Sequence, residues 1–178
     1  VGIVALATFK KYAKKLEDDP AGEALYQIYL DAAEAVVEKY LGYSPVLQDY
    51  DETIYGTGRD TIQLRAKPVV ELAAVTVDGN PRDVDDFRID GELLIDKTGA
   101  TFPRGAAVRI EYTAGWAEVP ADIQLCILQI ASLKGMEAGE NIGVTATSFD
   151  GGNSRTFINY TDFRKWLKEL SSYRVVRL

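Results

Sequence analysis

The sequence predicts an α+β fold, and three observations carry that expectation. Apolar residues recur at helical spacing before residue 42 and after residue 120, while the stretch between alternates with period two and is cut by turn residues. The chain has 178 residues, 47% hydrophobic and 26% charged, ordinary values for a globular domain. The expected organisation is a single domain over residues 1–178, with helices at about 8–41, an antiparallel β-meander at about 44–113 and a helical and C-terminal part at about 120–178. A chain of this length buries about 70% of its unfolded surface and needs no disulfide or metal to hold its core.

Thr8 is expected to cap a short helix through Phe9, Tyr12, Ala13 and Leu16, with Lys10, Lys11, Lys14 and Lys15 on the wet side and Pro20 after its end. A longer helix follows, with Leu25, Ile28, Tyr29, Ala32, Val36 and Tyr40 as its apolar stripe and Gly42 as its left-handed terminator. Glu23, Gln27, Asp31, Glu34 and Glu38 recur every three or four residues on another side. The plainest reading of that acidic stripe is a solvated helix face.

Strands are expected at 46–54, 61–64, 69–77, 87–89, 93–95 and 107–113. Asp78-Gly79-Asn80 is a hairpin signal, and the Gly56-Thr57-Gly58 and Thr98-Gly99 segments read as turns. Pro120 suits a first helical position, and the helix it opens is apolar nearly all round, from Ile123 through Cys126 and Ile130 to Leu133, which predicts a buried spine. Residues 142–157 are polar, β-prone and split by Asp150-Gly151-Gly152-Asn153, so they read as a protruding hairpin or long loop. Thr161 or Asp162 then caps a final helix carrying Phe163, Trp166, Leu167 and Leu170, followed by an extended tail from Tyr173 to Leu178.

The chain has no histidine and a single cysteine, Cys126, which removes His-dependent hydrolases, His-ligated zinc or haem, and CxxC sites. Asp96-Lys97-Thr98-Gly99 matches the phosphoryl-acceptor sequence of P-type ion pumps, but a strand running into a turn explains it and the membrane spans are missing. Gly56-Thr57-Gly58 lacks the third glycine and the helix of a dinucleotide fingerprint, and Asp83, Asp85 and Asp86 lack the glycine and closing Glu of a calcium loop. Cys126 reads as a small buried hydrophobe. With no active site in view, a structural or interaction role is the default. No segment approaches the roughly 18 apolar residues of a membrane span, so a soluble protein without a membrane partner is expected.

Net charge is −7, distributed as −11 over residues 1–154 and +4 over residues 155–178. Several local sequences, in order, resemble the head-tail connector (adaptor) proteins of long-tailed bacteriophages: the helix 29–40 ending at Gly42, Lys67-Pro68-Val69-Val70 leading to Val77-Asp78-Gly79, and above all residues 108–116 (VRIEYTAGW) leading through Val119-Pro120 into the apolar helix. Residues 143–151 and 172–177 look like the C-terminal signatures of the same family, whereas Glu137-Ala138-Gly139-Glu140 departs from an aromatic and basic helix end. The resemblance implies a non-enzymatic virion protein with no cofactor or metal, assembled in the host cytoplasm. Its copies are expected to form a ring, commonly of twelve, docked beneath the portal protein at the head-tail interface and against the next neck or tail protein. The ring would extend the DNA channel, and DNA would pass through without specific binding.

Within that frame Glu23, Asp31, Glu34 and Glu38 are channel-facing candidates, because a carboxylate wall repels phosphates and lets DNA slide. Thr147, Ser148, Phe149, Asp150 and Asn153 are candidates for a subunit-contact loop. Tyr173, Arg174, Val175, Val176, Arg177 and Leu178 alternate apolar and basic residues and are portal-docking candidates by strand addition, the alternative being a tail folded back on its own sheet. The rival readings are another neck protein (a stopper) and a soluble α+β ligand-binding domain.

Overall fold

A computed structural model describes residues 2–13, 20–137, 146–148, 154–156 and 163–175. The described residues form an α+β fold of four helices and small antiparallel sheets, and the chain divides into two compact units. One comprises Val1–Tyr40 with Pro120–Ser172, and the other Leu41–Val119 with Tyr173–Leu178.

In the helical unit, α1 (Leu6–Tyr12) begins before Thr8, with Ala5 at the cap position and no side-chain cap. Leu6 and Phe9 rather than the hydroxyl set its start, because Phe9 is buried and Thr8 lies inside the first turn, its amide donating to Ala5 O at 2.9 Å. Helix α2 (Pro20–Leu41) opens on a proline, whose missing N–H would find no partner there, and stops before Gly42 at φ 90°. Its buried line is Leu30, Ala33, Val37 and Leu41, all fully buried. This corrects the expected stripe: Leu25 is 46% and Ile28 59% exposed. Two apolar lines compete on this helix, and the one carrying Leu30 and Val37 is buried.

Helix α3 (Ala121–Glu137) is the expected spine, with Ile123, Cys126, Ile127, Leu128, Ile130, Ala131 and Leu133 buried and Leu125 exposed. It packs on α4 (Phe163–Glu169), whose Leu167 is buried together with the following Leu170. Gly135 of α3 lies against the Tyr29 ring of α2, where an added Cβ would make ordinary van der Waals contact at 3.5 Å. Residues 146–148 and 154–156 pair antiparallel, so the expected hairpin forms its ladder, while Phe149, Asp150 and Asn153 lie outside the described residues. The predicted cap positions Thr161 and Asp162 also lie outside them.

The β unit is not the simple meander expected. Its larger sheet has β1 (Gln48–Tyr55), β7 (Ala107–Ala114), β3 (Val69–Val77) and β4 (Asn80–Arg82) in that order, and the smaller has β2 (Thr61–Gln63), β6 (Leu93–Asp96) and β5 (Phe87–Asp90). The last strand of this unit in sequence, β7, inserts between β1 and β3. Local patterning marks strands but not their long-range partners, so the order was not readable. Along β7, Val108, Ile110, Tyr112 and Ala114 are buried, and Arg109, Glu111 and Thr113 take the other face. The β3–β4 turn has Asp78 and Gly79 both at positive φ, the geometry that joins two right-twisted strands. Pro81 sits in the short edge strand β4, where a missing donor is tolerated.

Gly115 ends β7. It has φ 108°, its amide donates to Pro68 O at 2.9 Å, and a Cβ there would lie 2.5 Å from Val46 O. Trp116 follows, its amide donating to Pro45 O and its carbonyl accepting from Leu47 N. Replacing Gly115 by Ala therefore adds a backbone clash to left-handed strain and is expected to cost more than about 2 kcal/mol, whereas Gly79→Ala, with open space around it, should cost about 1 kcal/mol. Urea unfolding of the two variants measures the contrast. Equal losses would mean that the Val46 approach does not constrain the fold.

Candidate assembly surfaces

The acidic stripe of α2 is put to use within the helical unit. Lys10, expected on the wet side of α1, is buried and its Nζ lies 2.7 Å from Glu23 Oε1. A stem buried beside Phe9 brings the ammonium to a carboxylate and so keeps its charge paired. Phe9 itself meets Tyr26 edge-on at 6.3 Å. One turn from the N-terminal segment's other end, Val4 N–H donates to Glu34 Oε1 at 2.9 Å, and Gly2 lies against the same carboxylate. Asp31 is exposed and accepts from Gln27 Nε2 at 2.7 Å, and Glu38 is half-buried.

Two of the four channel-facing candidates, Glu23 and Glu34, thus hold the chain's own N-terminal segment, and the stripe is not a uniformly solvated face. Burial raises the Glu34 carboxyl above the usual carboxylate range, helped by Asp31 and Glu38, while the amides of Val4 and Ile3 oppose the rise. Sequence reading found the cluster but missed its use. The available signal was the lysine run of the preceding segment, opposite in sign and close in sequence.

The tail also differs from its expected extended form. Tyr173 closes a 3₁₀ turn at Ser171–Tyr173, its carbonyl accepts from Tyr43 Oη at 2.9 Å, and its ring meets Trp116 edge-on at 5.5 Å. Val175 is 8% exposed and its amide donates to Leu41 O at 3.1 Å. Burial, with repulsion from Tyr50, Glu92 and Tyr173, pushes the Tyr43 phenol far above its ordinary pKa, so it remains a donor. Tyr173 and Val175 are therefore committed to packing within their own unit. Arg174 is exposed, while Val176, Arg177 and Leu178 lie outside the described residues.

The outward face of the larger sheet is polar and predominantly acidic. Asp49 and Asp51 on β1, Glu111 on β7 and Glu71 near the start of β3 share it with a single guanidinium, Arg109. Arg109 grips Asp51 through two hydrogen bonds of 2.8 and 2.7 Å and reaches Glu111 at 2.9 Å, which holds the Asp51 carboxyl below its ordinary range. Asp49 accepts from Thr113 Oγ1 at 2.7 Å. In the helical unit, Arg164, Lys165 and Lys168 are exposed on α4, whose Leu167 is buried.

The local motifs with chemical precedents are structural. Asp96 is buried: burial raises its pKa, but bonds from the Thr98 hydroxyl and amide and from Arg82 at 3.1 Å outweigh this and hold it below the usual range. That carboxylate ties β6 to the Arg82 end of β4. Asp83 caps a 3₁₀ turn by accepting from Asp85 N, and a Cβ at Gly56 would collide with the Pro103 carbonyl. Burial, with Glu169 and Asp122, pushes the Cys126 thiol up to about 12, far from a reactive thiolate. Among the described residues no three His, Cys, Asp or Glu side chains are grouped to hold a metal, and no helix is long and apolar enough to cross a membrane.

A protein-family model described as head completion protein matches residues 3–166. The chain belongs to the head completion protein family. It is accordingly a structural, non-enzymatic component of a phage-like virion, located in the head completion region. No curated protein matches the sequence. Among solved structures, a chain in the neck of an empty gene transfer agent particle, computed with C6 symmetry, is similar with a TM-score of 0.66 and 20% identity over 99% of this chain and 91% of that one. A chain in the virion of a native gene transfer agent particle has a TM-score of 0.64 and 19% identity with the same coverage. The fold of nearly the whole chain is therefore similar to that of both of these chains.

Two outcomes are expected from the site geometry. Truncation after Ser172 removes the Tyr173 and Val175 contacts and should lower the melting temperature by roughly 5 °C, an effect of burial that calorimetry would detect. An unchanged melting temperature would mean that the tail contributes nothing to its unit. For Glu34 the folded-state pKa lies above the unfolded one, so its charge weakens folding at neutral pH, and this cost disappears as pH falls below the ordinary glutamate value. Glu34→Gln keeps an acceptor for Val4 N–H and should be at least as stable as the parent near pH 7, its relative advantage shrinking toward about pH 4. Urea unfolding at the two pH values tests the sign, and a variant weaker than the parent only near neutrality would reverse it.

Proposed function

We propose that copies of this chain form a ring in the virion neck, beneath the portal of the head, and that the ring extends the DNA channel toward the tail, serving retention of packaged DNA and its later ejection. The observation that carries this reading is the likeness of 99% of the chain to a subunit from a neck with C6 symmetry, joined to family membership. Twelve copies, the number implied by the sequence resemblance, are compatible with sixfold symmetry. The chain's charge agrees: an acidic wall repels the phosphates of DNA that passes along it. Asp31 and Glu38 remain the channel-facing candidates of α2, since Glu23 and Glu34 are occupied by the N-terminal segment.

The portal contact is assigned to Arg174 and the residues that follow Val175, and the 142–157 hairpin to a neighbouring subunit. Mixing purified protein with portal rings and imaging by electron microscopy tests the ring reading, with a ring coaxial with the portal as the expected outcome. Particles assembled without this protein should carry filled heads that lose DNA and fail to join tails. Wild-type levels of tailed, DNA-retaining particles in its absence would refute the proposal.

A separate expectation concerns DNA. With a net charge of −7, the isolated protein should bind duplex DNA no more tightly than about the nonspecific range of 10⁻⁴–10⁻⁶ M at physiological salt. Submicromolar binding in a salt titration would exclude a passive channel wall.

A further inference from the structure

We propose that neighbouring copies in the ring meet through opposite charges, with the exposed α4 face of one copy (Arg164, Lys165, Lys168) seated on the outward acidic face of the larger sheet of the next (Asp49, Asp51, Glu71, Glu111). This rests on the ring reading above and deepens it by naming the surfaces. A cyclic ring with more than two members needs a heterologous contact, so each subunit must present two different, complementary patches. The chain presents such a pair, one on each of its compact units.

Each patch is uncompensated locally. Arg164, Lys165 and Lys168 are exposed and have no ion pair among the described residues, with Glu169 the one carboxylate on the same helix. On the sheet, four carboxylates face one guanidinium, which is already shared by Asp51 and Glu111. Asp49 and Glu71 are exposed and have no ion pair among the described residues. The spacings also correspond. One turn of α4 from Arg164 to Lys168 spans about 6 Å, Asp49 and Asp51 are about 7 Å apart along their strand, and neighbouring strands add steps of about 5 Å. Four carboxylates spread over three strands can thus meet three cations along one helical turn.

The same arithmetic explains why an acidic protein carries this basic patch. In a chain of charge −7, identical copies repel one another at a distance, and a patch of opposite sign selects the orientation that closes a ring. Exposed ion pairs contribute little each, and so the contact would set register and association rate and leave the isolated chain weakly associated.

The test is a charge exchange scored as portal-bound rings by electron microscopy. Lys165→Glu with Lys168→Glu should reduce ring occupancy by at least about tenfold, as should Asp49→Lys with Glu71→Lys. All four changes in one chain should restore rings to within about threefold of the parent, a rescue that a merely destabilised fold would not show. Circular dichroism confirms that each variant is folded, and none of the four residues makes an ion pair within the described structure. If either reversed pair leaves ring formation unchanged, or if the combined variant fails to recover, the contact is wrong. If instead the parent binds duplex DNA and Lys165→Glu with Lys168→Glu abolishes that binding, the α4 face serves phosphates and the proposal falls. A parent chain that never forms portal-bound rings overturns the ring reading itself, an outcome distinguishable from normal rings that are indifferent to charge.

Discussion

The larger sheet depends on how its central strand ends. Strand β7 pairs on both edges, with β1 along its whole length and with β3 through two register shifts. Both neighbours must be secured where β7 leaves the sheet, and Gly115 and Trp116 do this with backbone bonds to Pro68, Pro45 and Leu47. A side chain at 115 would hit Val46, so the connection forms only with glycine in its left-handed conformation. The indole that follows meets Tyr43 at 6.3 Å and Tyr173 at 5.5 Å, so the same junction that closes the sheet also seats the start of the tail. The short TAGW sequence thus ties together the larger sheet and the start of the tail.

Much of the architecture was legible in local patterning because its determinants are local. The alternation of 108–114, the Asp78-Gly79 turn and the all-round apolar character of α3 translate directly into buried faces and a tight hairpin. What escaped was decided by partners distant in sequence. Strand order depends on pairings such as Thr53 with Arg109, which no local window contains. On α2 both Leu25-Ile28 and Leu30-Val37 lie at helical spacing, and only the packing of the other elements selects the second. Lys10 looked like a solvated cation because helical periodicity alone does not report its approach to Glu23, thirteen residues on across the end of a helix, although the opposite charges of the two segments were in view.

The assembly surfaces divide in the same way. Clusters of charge were visible in the sequence, but the structure separates charges used internally from charges left over. Glu23 and Glu34 hold the N-terminal segment, Asp96 ties strands together and Arg109 is enclosed by carboxylates. After those are subtracted, Asp49 and Glu71 on the sheet and the α4 cations are among the exposed charges without an ion pair in the described residues. Tyr173 and Val175 make the corresponding point for apolar residues: a terminal segment that looked composed for a partner is partly built into its own unit. For a head completion protein this division matters, because the same small chain must be a stable subunit before it becomes part of a larger machine.

The buried Cys126 has a further consequence, for life outside the cell. A virion leaves a reducing interior at lysis and then persists in an oxidising medium, where accessible thiols cross-link or over-oxidise. This chain has only one cysteine, protonated and enclosed in α3, and therefore has no thiolate to offer to oxidant or neighbour. Two copies cannot become covalently joined through it without partial unfolding.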